Sequence, residues 1–512
     1  MTTLSPQDAD AGEAAIVAIA SGKLRGARVG GVRRFLGVPY AAPPVGPLRF
    51  AKPQAHPAWT DVRDALVKGD IAPQPTPSRA QMEKVLPGID LAPLVGDGVR
   101  KGDNFLVANI WTTEAPAAGL PVMVFIHGGS FTGGSGGADV YDGASFARAG
   151  IVCVTINYRL GVEGFLPIPG APTNLGLRDM LAALAWVKDN IAAFGGDAGN
   201  VTVFGESAGA MSIANLVASP LAKGLFRRAI IQSGHGQMVR PIPVAERLTR
   251  RIAKILRVTP DVAGFRSRSI ADAVQALEKV SQPTTRIDLK DSDGREPAFG
   301  LSRFLPVYGD DVLPQHPIAA LASGVGSDIE VLIGTNTEEM NLYFVPSGVR
   351  RKIGKFLAHF IVRRSEPRAR EILKAYGIDR KDRRPGDAFT EALTDLVFRM
   401  HAHRFARAHR GRTHMYAFGW RSPVYDNGLG ACHAIELPFV FNTLRTVSGP
   451  RGLAGHAPPQ ALADRVHGLW SAYARDGALP WPEYDDATRL VHTLDTGETA
   501  PELDMPADRI LS

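Results

Sequence analysis

The chain has 512 residues, of which 45% are hydrophobic, so it is long enough to bury a large core. Its 58 basic and 51 acidic residues leave a net charge of +7, which over so large a surface does not indicate a nucleic-acid partner. No apolar run reaches the roughly 18 residues that a membrane-spanning helix needs, so we expect no membrane span. The sequence also lacks a Walker A motif, a dinucleotide-binding glycine fingerprint and paired C-x-x-C motifs, so it predicts neither a cofactor nor a metal.

The N-terminal residues and the cysteine content favour a reducing compartment. Residues 1–13 contain no basic segment followed by an apolar one, so we identify no secretory signal. Cys153 and Cys432 are the two cysteines of the sequence, and nothing in their number calls for an oxidising compartment. We therefore expect a cytoplasmic protein, with residues 1–15 disordered; the sequence favours neither a monomer nor a homo-oligomer.

The first hundred residues are rich in proline and glycine, and short alternating runs such as residues 15–20 predict a small antiparallel sheet. Further along, near-continuous apolar runs alternate with helical patterns, which predicts an α/β fold with a mostly parallel sheet covered on both faces. A helix is predicted over 177–194, where apolar residues recur at three- and four-residue steps before Gly195. The predicted strands are 121–126, 151–156, 201–204, 229–231, 330–333 and 414–418.

Residues 240–325 and 345–410 are predicted to be helical insertions into this α/β pattern. Two basic clusters, at 350–364 and 400–412, fall in or beside the second insertion. Either cluster could contact nucleic acid or a membrane, but we interpret the second as the solvated face of a helix and predict no nucleic-acid partner. Because the motifs described next span residues 127–433 and need one shared sheet, we predict one elaborated domain over 1–512 rather than three domains.

The most informative motif is Gly205-Glu206-Ser207-Ala208-Gly209, which follows the predicted strand 201–204 and precedes a helix that is apolar nearly all round. It matches the G-x-S-x-G turn that presents a nucleophilic serine between a strand and a helix. The small residues allow the strand and helix to pass close together, and the helix N-terminus favours developing negative charge. The motif alone is common, but its strand–turn–helix context favours a nucleophile.

A second glycine-rich turn, His127-Gly128-Gly129-Ser130, follows the strand that ends at residue 126. In an α/β-hydrolase this loop supplies backbone N–H groups to an oxyanion hole, together with the residue after the nucleophile. Removal of one such donor costs about 3–4 kcal/mol of transition-state stabilisation in other enzymes.

A nucleophilic serine also needs a histidine base and an acid that orients it. Glu339 follows the strand 330–333, and His433 lies in the segment 430–441, so both fit the order serine, acid, histidine. Spacing alone does not select this pair, because the chain contains 13 histidines.

These segments together resemble the type-B carboxylesterase family, which includes cholinesterases and bacterial para-nitrobenzyl-type esterases. The resemblance covers most of the chain and implies an α/β-hydrolase fold. It rests on the ordered segments 21–26, 35–50, 122–129, 155–161, 174–179, 190–197, 205–209, 232–234 and 481–485.

The resemblance implies that Ser207 is the nucleophile, that His433 is the general base and then acid, and that Glu339 orients His433. It implies that the backbone N–H groups of Gly129, Ser130 and Ala208 form the oxyanion hole. It also implies that Glu206, Ser233 and Glu436 are polar residues that support the histidine loop. Arg159 and Asp179 resemble a structural ion pair of the family.

The sequence departs from the family pattern near the site. The third glycine of the oxyanion loop is replaced by Ser130. Its side chain narrows the part of the pocket that holds the acyl group, or adds a hydroxyl group there. Met340 stands where glycine usually follows the acid. Glu338 precedes Glu339 directly and is a rival for the acid role, although the motif register favours Glu339.

Other departures concern the loop before residue 104. Ala72 and Asn104 occupy positions where many relatives, especially secreted ones, have a disulfide, which supports a reduced compartment. Gly102 replaces a usual acid, so we expect Arg49 to lack its usual partner. Residues 71–102 contain no aromatic side chain to hold a choline cation, which argues against a choline ester.

We therefore predict a serine carboxylic-ester hydrolase that acts through an acyl-enzyme on short to medium, non-choline esters, with a small-molecule ester as its partner. Phe131, Met340 and Phe439 either shape the pocket or belong to the core. Two alternatives remain open: an amidase, thioesterase or lipase with the same triad, and a non-catalytic binding module of the same fold.

Overall fold

The computed structural model describes residues 14–96, 101–115 and 117–511. Residues 1–13, where we expected disorder, lie outside this part of the chain. The expectation was wrong at Ala15, which begins the first strand, pairs with Gly26 and is buried. Its burial follows from the alternating pattern, which turns every second side chain of the strand towards the core.

The strands of the described residues largely form one mixed sheet. All six predicted strands are present, and their ends differ from the prediction by at most five residues. The strands are β1 (Ala15–Ile19), β2 (Gly22–Val29), β3 (Val32–Pro39), β4 (Val62–Asp64), β5 (Val107–Thr113), β6 (Leu120–Ile126), β7 (Val152–Ile156), β8 (Gly196–Glu206), β9 (Arg228–Gln232), β10 (Arg240–Pro241), β11 (Val307–Tyr308), β12 (Glu330–Asn336), β13 (Thr413–Phe418), β14 (Leu490–Thr493) and β15 (Thr499–Pro501).

The helices cover the sheet and fill the two insertions that the sequence predicts. They are α1 (Arg79–Val85), α2 (Ala92–Val95), α3 (Ala144–Arg148), α4 (Gly161–Phe165), α5 (Leu175–Asn190), α6 (Ala208–Val217), α7 (Ile242–Leu256), α8 (Val262–Arg266), α9 (Ile270–Ser281), α10 (Pro317–Ala322), α11 (Asn341–Phe344), α12 (Val349–Lys352), α13 (Lys355–Arg363), α14 (Ala369–Ala375), α15 (Pro385–Thr394), α16 (Met400–Ala408), α17 (Leu437–Val440), α18 (Gln460–Asp476) and α19 (Pro506–Leu511). Among the residues described, no helix has the length and apolar character needed to cross a bilayer.

The strand order of the large sheet is β1-β2-β3-β5-β7-β6-β8-β9-β12-β13-β14-β15, and β4 pairs with β2. The run from β7 to β14 is parallel. Strand β4 also pairs parallel with β2, whereas the other N-terminal strands and β15 pair antiparallel. The predicted antiparallel strands are therefore present, and they continue the main sheet through β3 and β5. Parallel strands place their carboxyl ends at one edge of the sheet, which is where ligand sites form in such folds.

Helices pack on both faces of the parallel strands. Val122, Val124 and Ile126 of β6 enter one buried cluster with α5 and α6. Met123 and Phe125 enter a second cluster with α3 and α18 on the opposite face. The period of two along a strand explains this division and the near-continuous apolar sequence of β6.

Two buried ion pairs tie the connections to the sheet. Arg159, which follows β7, donates to both carboxylate oxygens of Asp179 at 2.8 and 2.7 Å, as the family resemblance implied. Arg49 donates to both oxygens of Glu163 at 3.0 and 2.7 Å. Arg49 therefore bonds an acid of α4, Glu163, and not an acid at position 102, where the sequence has glycine.

Strand β8 passes into α6 through a sharp turn at Ser207, whose φ is +54° and ψ is −124°. A non-glycine residue in such a conformation stores about 1–3 kcal/mol of strain, which the surrounding packing must hold. The first turn of α6 lies directly against the end of β6: a Cβ built on Gly209 would meet the carbonyl oxygen of Ile126 at 2.0 Å. Glycine at 209 is thus required by the close approach of two backbones.

We predict that Gly209→Ala destabilises the protein by about 1–3 kcal/mol, because the added methyl group must push β6 and α6 apart. Urea unfolding followed by circular dichroism measures this change. Gly468→Ala is the matched control, since Gly468 is exposed in α18 and a Cβ there meets nothing within 4 Å. The control should leave stability unchanged or raise it by up to about 1 kcal/mol; equal effects of both substitutions would contradict the packing argument.

Candidate active site

Three side chains that follow different strands form a connected row at the carboxyl edge of the sheet. Ser207 follows β8, Glu339 follows β12, and His433 lies in the long connection after β13. Nδ1 of His433 is 2.7 Å from Oε2 of Glu339, and Nε2 is 2.9 Å from Oγ of Ser207. With Nδ1–H donated to Glu339, Nε2 is free to accept the hydroxyl proton of Ser207. All three residues are buried.

Glu339 is fixed by further hydrogen bonds to its other oxygen. Ser233 Oγ–H donates to Oε1 at 2.5 Å, and the backbone N–H of Asn336 donates to the same atom at 2.8 Å. These donors leave Oε2 for the imidazole and orient the carboxylate. The rival Glu338 lies elsewhere: it pairs with Arg421 and accepts the backbone N–H of Ala431.

A second carboxylate faces the histidine from the serine side. Oε1 of Glu206 lies 3.0 Å from Nε2 of His433, an ion-pair distance, but this oxygen has no hydrogen-bond partner. Burial alone would lower the pKa of His433, yet the surrounding Tyr343, Glu206 and Glu339 outweigh it and raise that pKa well above its usual value. The pocket therefore favours the imidazolium form of His433 more than water does.

A third acid, Glu436, lies beneath the histidine loop. Its two oxygens accept the side-chain amides of Gln232 at 3.1 Å and Asn336 at 2.7 Å, and Asn336 also donates to the carbonyl of Cys432 at 2.8 Å. Burial raises the pKa of Glu436 to about 8. Glu436 thus joins the ends of β9 and β12 to the loop that carries His433.

The glycine-rich loop after β6 lies beside Ser207. The backbone N–H groups of Gly129, Ser130 and Ala208 donate to no other group among the residues that the structure describes. Ser130 has a φ of +55°, in the left-handed region where glycine is favoured, so the side chain at this position is held against a conformational preference. The loop therefore presents unpaired donors next to the serine.

Three side chains that no sequence motif marks hold this loop in place. Tyr158 donates its hydroxyl to the carbonyl of His127 at 2.7 Å. Ser302 donates to the carbonyl of Ser130 at 2.7 Å, and Gln74 bonds both the N–H and the carbonyl of Gly134. These contacts come from distant segments, so no local sequence signal marks them.

Two aromatic rings pack around His433 and were also missed. Phe398 lies with its ring 4.9 Å from the imidazole, and Tyr343 with its ring 5.8 Å from it. Phe398 belongs to a π-helical turn, Asp395–Arg399, between α15 and α16. Such turns are rare and concentrate at functional sites, and they are not visible in a sequence pattern.

The three residues for which the sequence left a choice between pocket and core belong to the core. Phe131, Met340 and Phe439 are buried, and none lines the large cleft described below. Phe131 packs edge-on against Phe165, and Phe439 contacts Phe418.

A cleft of about 1820 Å³ reaches Gly129 and Ser130, although its lining stops short of Ser207. Among the described residues, its aromatic lining consists of Phe299 and Phe360. The charged side chains along its walls are basic in excess: Lys101, Arg240, Arg286, Lys290, Arg303, Arg364 and Arg451, against Glu83, Asp90, Asp288 and Glu296.

Comparison with known proteins identifies the family. The model of the carboxylesterase family matches residues 13–504, almost the whole chain. The chain belongs to the carboxylesterase family. It is an enzyme of the carboxylesterase type, and the resemblance inferred from its motifs is confirmed.

Known esterases are similar to this carboxylesterase over nearly their whole length. The chain is 35% identical over 504 residues to the para-nitrobenzyl esterase of Bacillus subtilis (strain 168), covering 95% of this chain and 96% of that protein. It is 34% identical over 510 residues to the phenmedipham hydrolase of Pseudarthrobacter oxydans, with the same coverage. A solved carboxylesterase of Geobacillus stearothermophilus superposes with a TM-score of 0.80 at 33% identity, over 97% of this chain and 99% of that one. This structural similarity confirms the α/β-hydrolase fold.

We predict that Glu206→Gln lowers the pKa of His433, because a neutral amide removes one carboxylate that stabilises the imidazolium. The downfield imidazole proton signals in NMR spectra, followed against pH, measure this pKa in the wild type and the variant.

Glu338→Gln is the matched control for this titration, since Glu338 bonds Arg421 and Ala431 rather than His433. This substitution should leave the pKa of His433 unchanged. A His433 pKa that is unchanged in Glu206→Gln, or lowered equally by both substitutions, would contradict the proposed influence of Glu206.

Proposed function

We propose that this carboxylesterase hydrolyses carboxylic esters through a covalent acyl-enzyme on Ser207, with His433 as base and acid and Glu339 as the group that orients it. The observation that carries the proposal is the continuous row from Ser207 Oγ through both nitrogens of His433 to Glu339. In this row the hydroxyl proton has an acceptor, and that acceptor is held in one tautomer.

In the first half-reaction, Ser207 Oγ attacks the ester carbonyl while Nε2 of His433 takes its proton. The oxyanion that forms is stabilised by the N–H groups of Gly129, Ser130 and Ala208, which are unpaired among the described residues. The imidazolium then gives the proton to the leaving alcohol. Water repeats the sequence on the acyl-enzyme and regenerates the serine.

The supporting acids have distinct positions in this mechanism. Ser233 acts through Glu339, which it holds for His433. Glu206 faces Nε2 and stabilises the imidazolium that forms when His433 takes the proton. Glu436 fixes the histidine loop through Asn336. Because His433 accepts the proton in its neutral form, activity falls as the pH drops through its raised pKa.

We propose short to medium, non-choline esters as substrates. The Ser130 side chain occupies space beside the oxyanion donors where a glycine would have only a hydrogen atom. It therefore supports a pocket with limited room for the acyl group. The basic excess of the cleft walls disfavours a quaternary ammonium group, because like charges repel each other.

We further propose that residues 1–512 act as one domain in a reducing, cytoplasmic setting. The site groups come from strands of one sheet, which supports a single functional unit. Cys153 and Cys432 are both buried and unpaired, and burial raises the pKa of both thiols. Their placement supports a compartment in which thiols persist.

We expect p-nitrophenyl esters of increasing acyl length to be hydrolysed, with short to medium chains preferred. In Ser207→Ala the turnover should fall about a millionfold, as it does when other serine hydrolases lose the nucleophile. A thiocholine ester should have a kcat/KM about tenfold lower than a neutral alkyl thioester of the same acyl group.

A p-nitroanilide of the same acyl group is the control for reaction class and should react far more slowly than the ester. Circular dichroism establishes that Ser207→Ala is folded. Turnover retained in the folded variant would contradict the role of Ser207, and a preference for the anilide would favour an amidase.

A further inference from the structure

Helix α13 exposes an apolar face that the fold does not cover. Phe356 is 87% exposed, Leu357 51%, Phe360 57% and Ile361 36%. These residues recur at four-residue steps and share one side of the helix, whereas Ala358 and Val362 point the other way and are buried. Four large apolar side chains on one short helix are unusual on a protein surface and indicate an interaction surface.

Basic side chains surround this apolar face. The segment 349–364 contains six of them and no acid: Arg350, Arg351, Lys352, Lys355, Arg363 and Arg364. Arg350 pairs with Asp387 and Lys355 with Asp379. Within the part of the chain that the structure describes, the other four make no ion pair. The surface around the apolar face is therefore strongly cationic.

The same helix borders the large cleft. Phe360, Ile361 and Arg364 line it together with Gly129 and Ser130 of the oxyanion loop. Elsewhere in the lining, Met82 and Val95 contribute apolar side chains, and Val95 is 43% exposed. The exposed apolar surface is thus continuous with the wall of the cavity that reaches the site.

We propose that α13 and its basic flanks dock on the surface of an anionic lipid bilayer, with the cleft beside the docked helix. An interfacial helix inserts its apolar side chains between lipid headgroups while neighbouring lysines and arginines contact anionic headgroups. The combination on α13 matches both requirements. The proposal goes beyond ester hydrolysis, and its binding test does not depend on that activity.

Charge decides against the other occupants of this surface. A second copy related by a twofold axis would bring together, from both copies, the four basic side chains that make no ion pair among the described residues. A nucleic acid would satisfy the basic side chains but would leave Phe356 and Phe360 exposed. An anionic lipid surface is complementary to the basic and the apolar parts together.

Vesicle sedimentation of the full chain tests the proposal. We expect binding to vesicles of mixed phosphatidylcholine and phosphatidylglycerol at low salt, and at least tenfold weaker binding to phosphatidylcholine alone. The double variant Arg351→Gln, Lys352→Gln should bind the anionic vesicles about 25-fold more weakly, since each basic residue contributes about fivefold. The double variant Phe356→Ser, Leu357→Ser should weaken binding about tenfold or more.

Leu503→Ser is the matched control for the apolar substitution, because Leu503 is 81% exposed on a different segment. The Leu503→Ser variant should bind vesicles as the wild type does. Hydrolysis of a p-nitrophenyl ester in solution should be unchanged in the Phe356→Ser, Leu357→Ser variant, and this activity shows that the variant is folded.

Absence of binding to anionic vesicles, or binding that the α13 substitutions leave unchanged, would overturn the proposal. A wild-type dimer in sedimentation velocity that the Phe356→Ser, Leu357→Ser variant abolishes would overturn it in favour of a second copy. Duplex DNA bound as tightly as the vesicles, and independently of Phe356, would overturn it in favour of a purely electrostatic surface.

Discussion

Close backbone contact between the turn at Ser207 and the end of β6 is the constraint on which the site depends. The turn holds Ser207 at a φ of +54°, and the packing of Gly209 against Ile126 keeps it there. This contact fixes the serine hydroxyl and the glycine loop relative to each other, since both follow strands that are neighbours in the sheet. The strain at the serine is offset by the burial of β6, β8 and α6, so that the core of the protein supports the geometry of its site.

Buried charge is the second organising feature. Glu206 ends β8, Glu339 follows β12 and Glu436 lies on the histidine loop itself, and all three are buried where water cannot screen them. Each acid has a separate geometry: Glu339 bonds the imidazole, Glu206 faces its other nitrogen without a hydrogen bond, and Glu436 bonds two amides. Glu206 and Glu339 favour the imidazolium form of His433. In the proposed mechanism this is the form present while the oxyanion exists, so the two acids would preorganise the site for charge separation between histidine and substrate.

Much of this arrangement could be predicted from the sequence, because it depends on local patterns. The period of the apolar runs identified β6, β8 and β12, and the glycine spacing identified the turns at Ser207 and Gly129. The pairing of Glu339 with His433 needed the family resemblance, since residues 419–432 between β13 and the histidine are almost free of regular structure. The partner of Arg49, 114 residues away, and the π-helical turn of Phe398 depend on tertiary packing and left no local signal.

Covalent trapping of the nucleophile tests the role of Ser207 directly. The enzyme is treated with an activated phosphate triester, digested and mapped by mass spectrometry. We expect a single phosphoryl adduct on the peptide that contains Ser207, complete loss of esterase activity as the adduct forms, and no adduct in Ser207→Ala. An adduct on a different serine that accompanies the loss of activity, or full activity after Ser207 has been modified, would contradict it.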